Sequence, residues 1–216
     1  MTLELSIAKL GLRASVVDAL ARFGITQCYP WQAAALREAV PDGANFVYTA
    51  PTSGGKSLVA DILMFRRLQA SIDDWKKPRA KALVLVPYLS IGVLQAVTPR
   101  DVYAPEAASP PNTLQLSLCA VSERGTYLKK LCAKSKLRVK SYTANESGCP
   151  LVDPKENIAV CSYEKGNSAV NKLIAGGQIG QLCCIIVDEF HMLADEGRGP
   201  ALEVCFHWVD MWARDV

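Results

Sequence analysis

The residues Ala50-Pro-Thr-Ser-Gly-Gly-Lys-Ser57 stand between an apolar, β-prone run at 46–49 and a helical spacing of apolar residues at 58–68. Strand, small-residue turn and helix in succession is the start of a parallel α/β unit. Such a turn can aim successive backbone N–H groups at phosphate oxygens, and the start of the following helix adds its positive end. Lys56 would then reach the β- and γ-phosphates of a bound nucleoside triphosphate and Ser57 would hold Mg²⁺. Thr52, Ser53, Gly54 and Gly55 would form the cradle between them. Ala50 stands where the usual pattern places its first glycine, and Ser57 replaces the commoner Thr while keeping the hydroxyl. A plain strand-to-helix turn uses the same small residues, so the Lys-Ser pair and the flanking elements decide for a phosphate site.

Phosphate chemistry needs carboxylates as well, one for the metal and one for the attacking water. Cys183-Cys184-Ile185-Ile186-Val187 predicts a strand buried on both faces, and it ends on Asp188-Glu189-Phe190-His191. Parallel sheets bind ligands beyond the carboxyl ends of their strands. Asp188 would thus hold Mg²⁺, directly or through water, and Glu189 would polarise the hydrolytic water. Any lone Asp-Glu pair could equally cap a following helix. The phosphate loop upstream favours the metal reading.

Along the chain, strand-like runs at 46–49, 82–86, 137–142, 158–161 and 183–187 alternate with helical patterns near Leu58, Tyr127, Tyr163 and Ala201. This predicts an α/β fold with a mostly parallel sheet and helices on both faces. Amphipathic patterns at 12–23 and 31–40 precede the first strand, so residues 1–45 form a helical lip and residues 46–216 the nucleotide-binding lobe. A Pro- and Ser-rich interval interrupts helical spacing until Glu123, and residues 92–122 read as an insertion. Residues 148–154 read as a surface loop. Half of the 216 residues are apolar, enough for a core, and no apolar run is long enough to span a membrane, so no membrane partner is expected. The eight cysteines are scattered without Cys-x-x-Cys spacing and read as reduced thiols. A formal charge of +3 permits nucleic-acid binding without requiring it. Lys129, Lys130, Lys134, Lys136, Arg138 and Lys140 form a basic cluster that reads equally well as a solvated face.

Tyr29-Pro-Trp-Gln32, Ala50 to Ser57, Pro87-Tyr-Leu-Ser90, Cys161-Ser-Tyr-Glu-Lys-Gly-Asn167 and the stretch from Asp188 through His191, Met192 and Leu193 to Arg198-Gly199 together resemble a superfamily 2 helicase. The resemblance is to the DNA-unwinding group that contains the polymerase-theta helicase domain, the HELQ-type helicases and their archaeal relatives. It implies the first RecA-like P-loop lobe of a DExH motor that binds ATP and Mg²⁺. Gln32 would contact the adenine edge, with Tyr29 and Trp31 beside it, and His191 would couple nucleotide state to the nucleic-acid side. Pro87, Ser90, Ser162 and Lys165 would line a track for single-stranded DNA, with RNA the lesser candidate. The group's direction of travel is 3′ to 5′ and its expected setting is nuclear DNA repair. Phe190 stands where an aliphatic residue is usual. A complete motor resembles two such lobes, the second contributing arginines, and nothing in this sequence resembles that lobe. The chain is therefore expected to be a truncated product with little activity alone, and residues 92–122 a lineage-specific loop or a retained intron. Two other readings stay open at this point, an RNA helicase lobe of the same superfamily and a non-catalytic nucleotide-binding regulatory module.

Overall fold

A computed structural model describes residues 5–38, 45–50, 54–72, 79–87, 113–143, 147–196 and 199–214. Thr52, Ser53, Ser90 and the greater part of 92–122 lie outside them. A small antiparallel pair, β1 (Leu5–Ser6) and β2 (Gln27–Cys28), brackets helix α1 (Ala14–Arg22) and is followed by α2 (Pro30–Glu38). The long helix α3 (Lys56–Ile72) leads to β3 (Lys81–Leu85). Then come α4 (Thr113–Cys132), β4 (Val139–Tyr142), β5 (Ile158–Cys161), α5 (Tyr163–Ala175), β6 (Leu182–Val187) and α6 (Gly199–Arg214).

Among the described residues the main sheet has the order β4-β5-β3-β6, and every pairing in it is parallel. Parallel neighbours require helical crossovers, and these clothe the sheet on both sides. Alternation along each strand sorts the side chains. Ala82, Val84, Ile158 and Val160 join the core shared with α1, α3 and α4, whereas Leu83, Leu85, Ala159 and Cys161 join Tyr163, Val170 and Leu173 of α5 and Leu202 and Cys205 of α6. The five residues of β3 are all buried, as befits a central strand. Gly166 lets α5 approach so closely that a Cβ there would lie 2.2 Å from Leu85 Cδ2.

The structure departs from the sequence reading in several places. Among the described residues, 46–49 pair in no ladder. Their burial alternates as in a strand, yet Phe46 and Tyr48 are held by ring stacking at 5.5 Å while Val47 is exposed. The β6 residues are half-buried rather than buried on both faces, because β6 is the last strand of the described sheet and carries a neighbour on one side only. Helix α4 begins at Thr113, inside the interval read as an insertion. The loop at 148–154 is exposed at Gly148 and over 152–154, as read, but Pro150 and Leu151 turn inward. Leu151 is fully buried at φ 63, donates its N–H to Glu156 Oε2, and offers its carbonyl to the buried Lys81 ammonium.

Candidate active site

Lys56 and Ser57 begin α3 directly after Gly55, whose φ of +74° lies in the left-handed region where glycine is at ease. The turn is tied from two sides. Gln32, on α2 and only 1% exposed, accepts the Tyr29 N–H at 2.8 Å and donates to the Gly55 carbonyl at 2.9 Å. The Tyr48 hydroxyl donates to the Lys56 carbonyl at 2.7 Å. Both polar ends of the Gln32 amide are therefore engaged within the protein, while Tyr29 beside it is exposed.

The acidic pair emerges where the sequence places it, at the carboxyl end of β6. The Asp188 N–H donates to the Leu85 carbonyl at 2.9 Å, which carries the β3–β6 ladder one residue past the strand. Asp188 Oδ1 accepts the Glu189 N–H at 3.1 Å, and Glu189 sits at φ 52, ψ 51. Glu189 Oε2 lies 3.2 Å from Nδ1 of the exposed His191. Tyr48, which ties the start of α3, is itself partly buried. Burial pushes its hydroxyl up to about 12, and the Asp61 and Asp188 charges add to the rise.

A cleft of about 320 Å³ opens between α4 and the ends of β3 and β6, lined among others by Pro87, Glu123, Arg124, Tyr127, Asp188 and Glu189. Pro87 is thus buried beside the acidic pair. Ser162 caps α5, its Oγ accepting the Lys165 N–H at 3.5 Å. The Lys165 ammonium donates to the Thr143 carbonyl at 2.5 Å, so it ties α5 to the end of β4.

Two residues that the sequence reading passed over shape this site. Arg124 on α4 grips Asp61 on α3 with both ends of its guanidinium, at 3.1 and 2.5 Å, and lies over the Tyr127 ring at 5.5 Å. Asp61 is 1% exposed. Burial pushes its carboxyl up and the Arg124 charge pulls it back. The signal was present in the sequence, since Asp61 falls on the helical face of Leu58 and Phe65 and a carboxylate on a buried face requires a partner.

No family model matches the chain. It is 31% identical over 202 residues to DNA polymerase theta of Mus musculus, an alignment that takes in 93% of this chain and 6% of that protein. Identity is 30% over 211 residues with Helicase POLQ-like of Homo sapiens, covering 94% of this chain and 16% of the relative. It is 24% over 200 residues with the ATP-dependent DNA helicase Hel308 of Methanocella arvoryzae, covering 93% and 22%. The chain spans less than a quarter of each of these relatives. Among solved structures, a variant of S. cerevisiae Dbp5 bound to RNA and ADP BeF3 superposes with a TM-score of 0.60 at 13% identity, over 94% of this chain and 43% of that one. This likeness, with the parallel sheet clothed by helices, makes the fold a RecA-like α/β lobe.

Proposed function

Taking as premise that this chain is a homologue of the POLQ-like and Hel308 helicases and matches their helicase domain, we propose that it is the ATP-binding first motor lobe of a 3′-to-5′ DNA helicase acting in nuclear DNA repair. The observation that carries the proposal is the likeness to these helicases over nearly the whole chain, with Lys56 and Ser57 at the start of α3 and Asp188 and Glu189 directly after β6. On this reading loop and carboxylates serve one ligand.

The donor set, a hydroxyl from Ser57 and a carboxylate from Asp188, is the hard-oxygen set that suits Mg²⁺. When bound, Mg²⁺ supplies positive charge across the β- and γ-phosphate oxygens. Lys56 binds the same oxygens from the helix start, and the N–H groups of the loop orient them. Glu189 draws the proton of the attacking water, and His191 holds the Glu189 carboxylate from the outer side. Gln32 reaches an adenine edge by exchanging one of its two internal bonds, so that adenine contact and the hold on Gly55 are linked. Ser162 and Lys165 place the first turn of α5 along the phosphates of single-stranded DNA, an assignment of position and not of sequence.

Titration with a fluorescent ATP analogue tests the reading. The chain should bind with Mg²⁺ present, Lys56→Ala should lose that affinity about ten-fold or more, and Glu189→Gln should keep it. Equal loss in the two variants removes Glu189 from the water-activating role, and no binding by the unaltered chain defeats the proposal.

A further inference from the structure

Tyr163 is the first residue of α5 and its side chain is fully buried. A buried phenol requires a polar partner. Its hydroxyl reaches across to the acidic turn and donates to the backbone carbonyl of Asp188 at 2.7 Å. The peptide between Asp188 and Glu189 is thus held at both ends, its carbonyl by Tyr163 and its N–H by Asp188 Oδ1 at 3.1 Å. A third bond, from the Asp188 N–H to the Leu85 carbonyl at 2.9 Å, fixes the residue to the sheet. Glu189 needs this restraint. Its backbone lies in the left-handed region, strained for a residue bearing a Cβ, and such conformations persist where the surroundings over-determine them. Rotation of that one peptide would turn the Glu189 N–H away from Asp188 Oδ1 and free the Asp188 carboxylate to reorient.

We infer that Tyr163 is a positioning residue whose hydroxyl sets the Asp188-Glu189 peptide, and with it the aim of the metal-binding carboxylate, from the first turn of α5. The inference rests on the nucleotide reading above and deepens it. The same helix turn carries Ser162 and Lys165, so a displacement of that turn is delivered to the acidic pair through a single oxygen atom.

Tyr163→Phe removes that oxygen and keeps the ring that fills the core. The affinity of the wild-type chain and of the variant for a fluorescent ATP analogue is measured twice, once with Mg²⁺ and once with EDTA. One hydrogen bond of ordinary strength corresponds to about a five-fold change. The variant should therefore bind as wild type in EDTA and lose about five-fold of the gain that Mg²⁺ brings. An equal loss in both conditions points to general loosening and overturns the inference, as does an unchanged Mg²⁺ gain. Absence of any Mg²⁺ gain in the wild type brings down the nucleotide reading itself, which separates the two failures.

Discussion

Gly55 meets two separate obstacles to a side chain. Its φ of +74° is strained for any residue with a Cβ, and that Cβ would lie 2.6 Å from Gln32 Nε2. Gly24 shares the first obstacle at φ +77° but faces open space. The pair therefore separates backbone strain from displacement of Gln32. Alanine at either position should lower stability by about 1–2 kcal/mol through the backbone alone. At Gly55 it must also push Gln32 away from the carbonyl that it holds, so Gly55→Ala should weaken ATP binding about ten-fold while Gly24→Ala leaves it unchanged. Thermal unfolding and nucleotide titration of the two variants, run together, check both halves of this expectation.

At the scale of elements, the contact between α3 and α4 depends on a charge pair and not on apolar fit alone. Truncating one member of a buried ion pair leaves the other unpaired and costs about 3–5 kcal/mol, whereas replacing both by apolar residues of like volume is often neutral. Arg124→Ala, which strands the Asp61 carboxylate, should fall in the first class. Asp61→Leu with Arg124→Met should fall near wild type in a urea titration. A double variant as unstable as the single one would mean that the pair sets the packing of α3 on α4 beyond its charge.

These elements also show where sequence ceases to be informative. Strands β3, β5 and β6 were legible because unbroken apolar runs between turn residues admit few other structures. Residues 46–49 read as a strand from their own composition, but a ladder needs a partner, which no local pattern supplies. The first turns of α4 were hidden because the Pro- and Ser-rich residues before Thr113 made their surroundings read as loop. The placement of Lys56 at a helix start and of Asp188 and Glu189 at a strand end was legible, since each belongs to a local pattern of apolar spacing. The partners of Asp61, Tyr163 and Lys165 were not, because Arg124, the Asp188 carbonyl and the Thr143 carbonyl come from distant segments.

For the whole molecule, a parallel sheet gathers the carboxyl ends of its strands along one edge, so the acidic pair after β6 and the cleft lie on a single rim. A triphosphate held there as proposed would be hydrolysed poorly, since charge developing on the transferred group needs a cation beyond those that bind the phosphates at rest. The guanidinium that lines the cleft cannot serve, because both of its ends are committed to Asp61. On the proposed function a cation from a second lobe would meet the need; such arginines raise turnover about 10³–10⁵-fold in comparable phosphoryl transfers. We therefore expect this chain to bind ATP and hydrolyse it slowly, and the second motor lobe of a POLQ-like relative, added in trans, to raise steady-state phosphate release by about 10³-fold when single-stranded DNA is present. RNA of equal length should compete weakly. Rapid DNA-stimulated release by the chain alone would show that the transition-state charge is met from within this lobe.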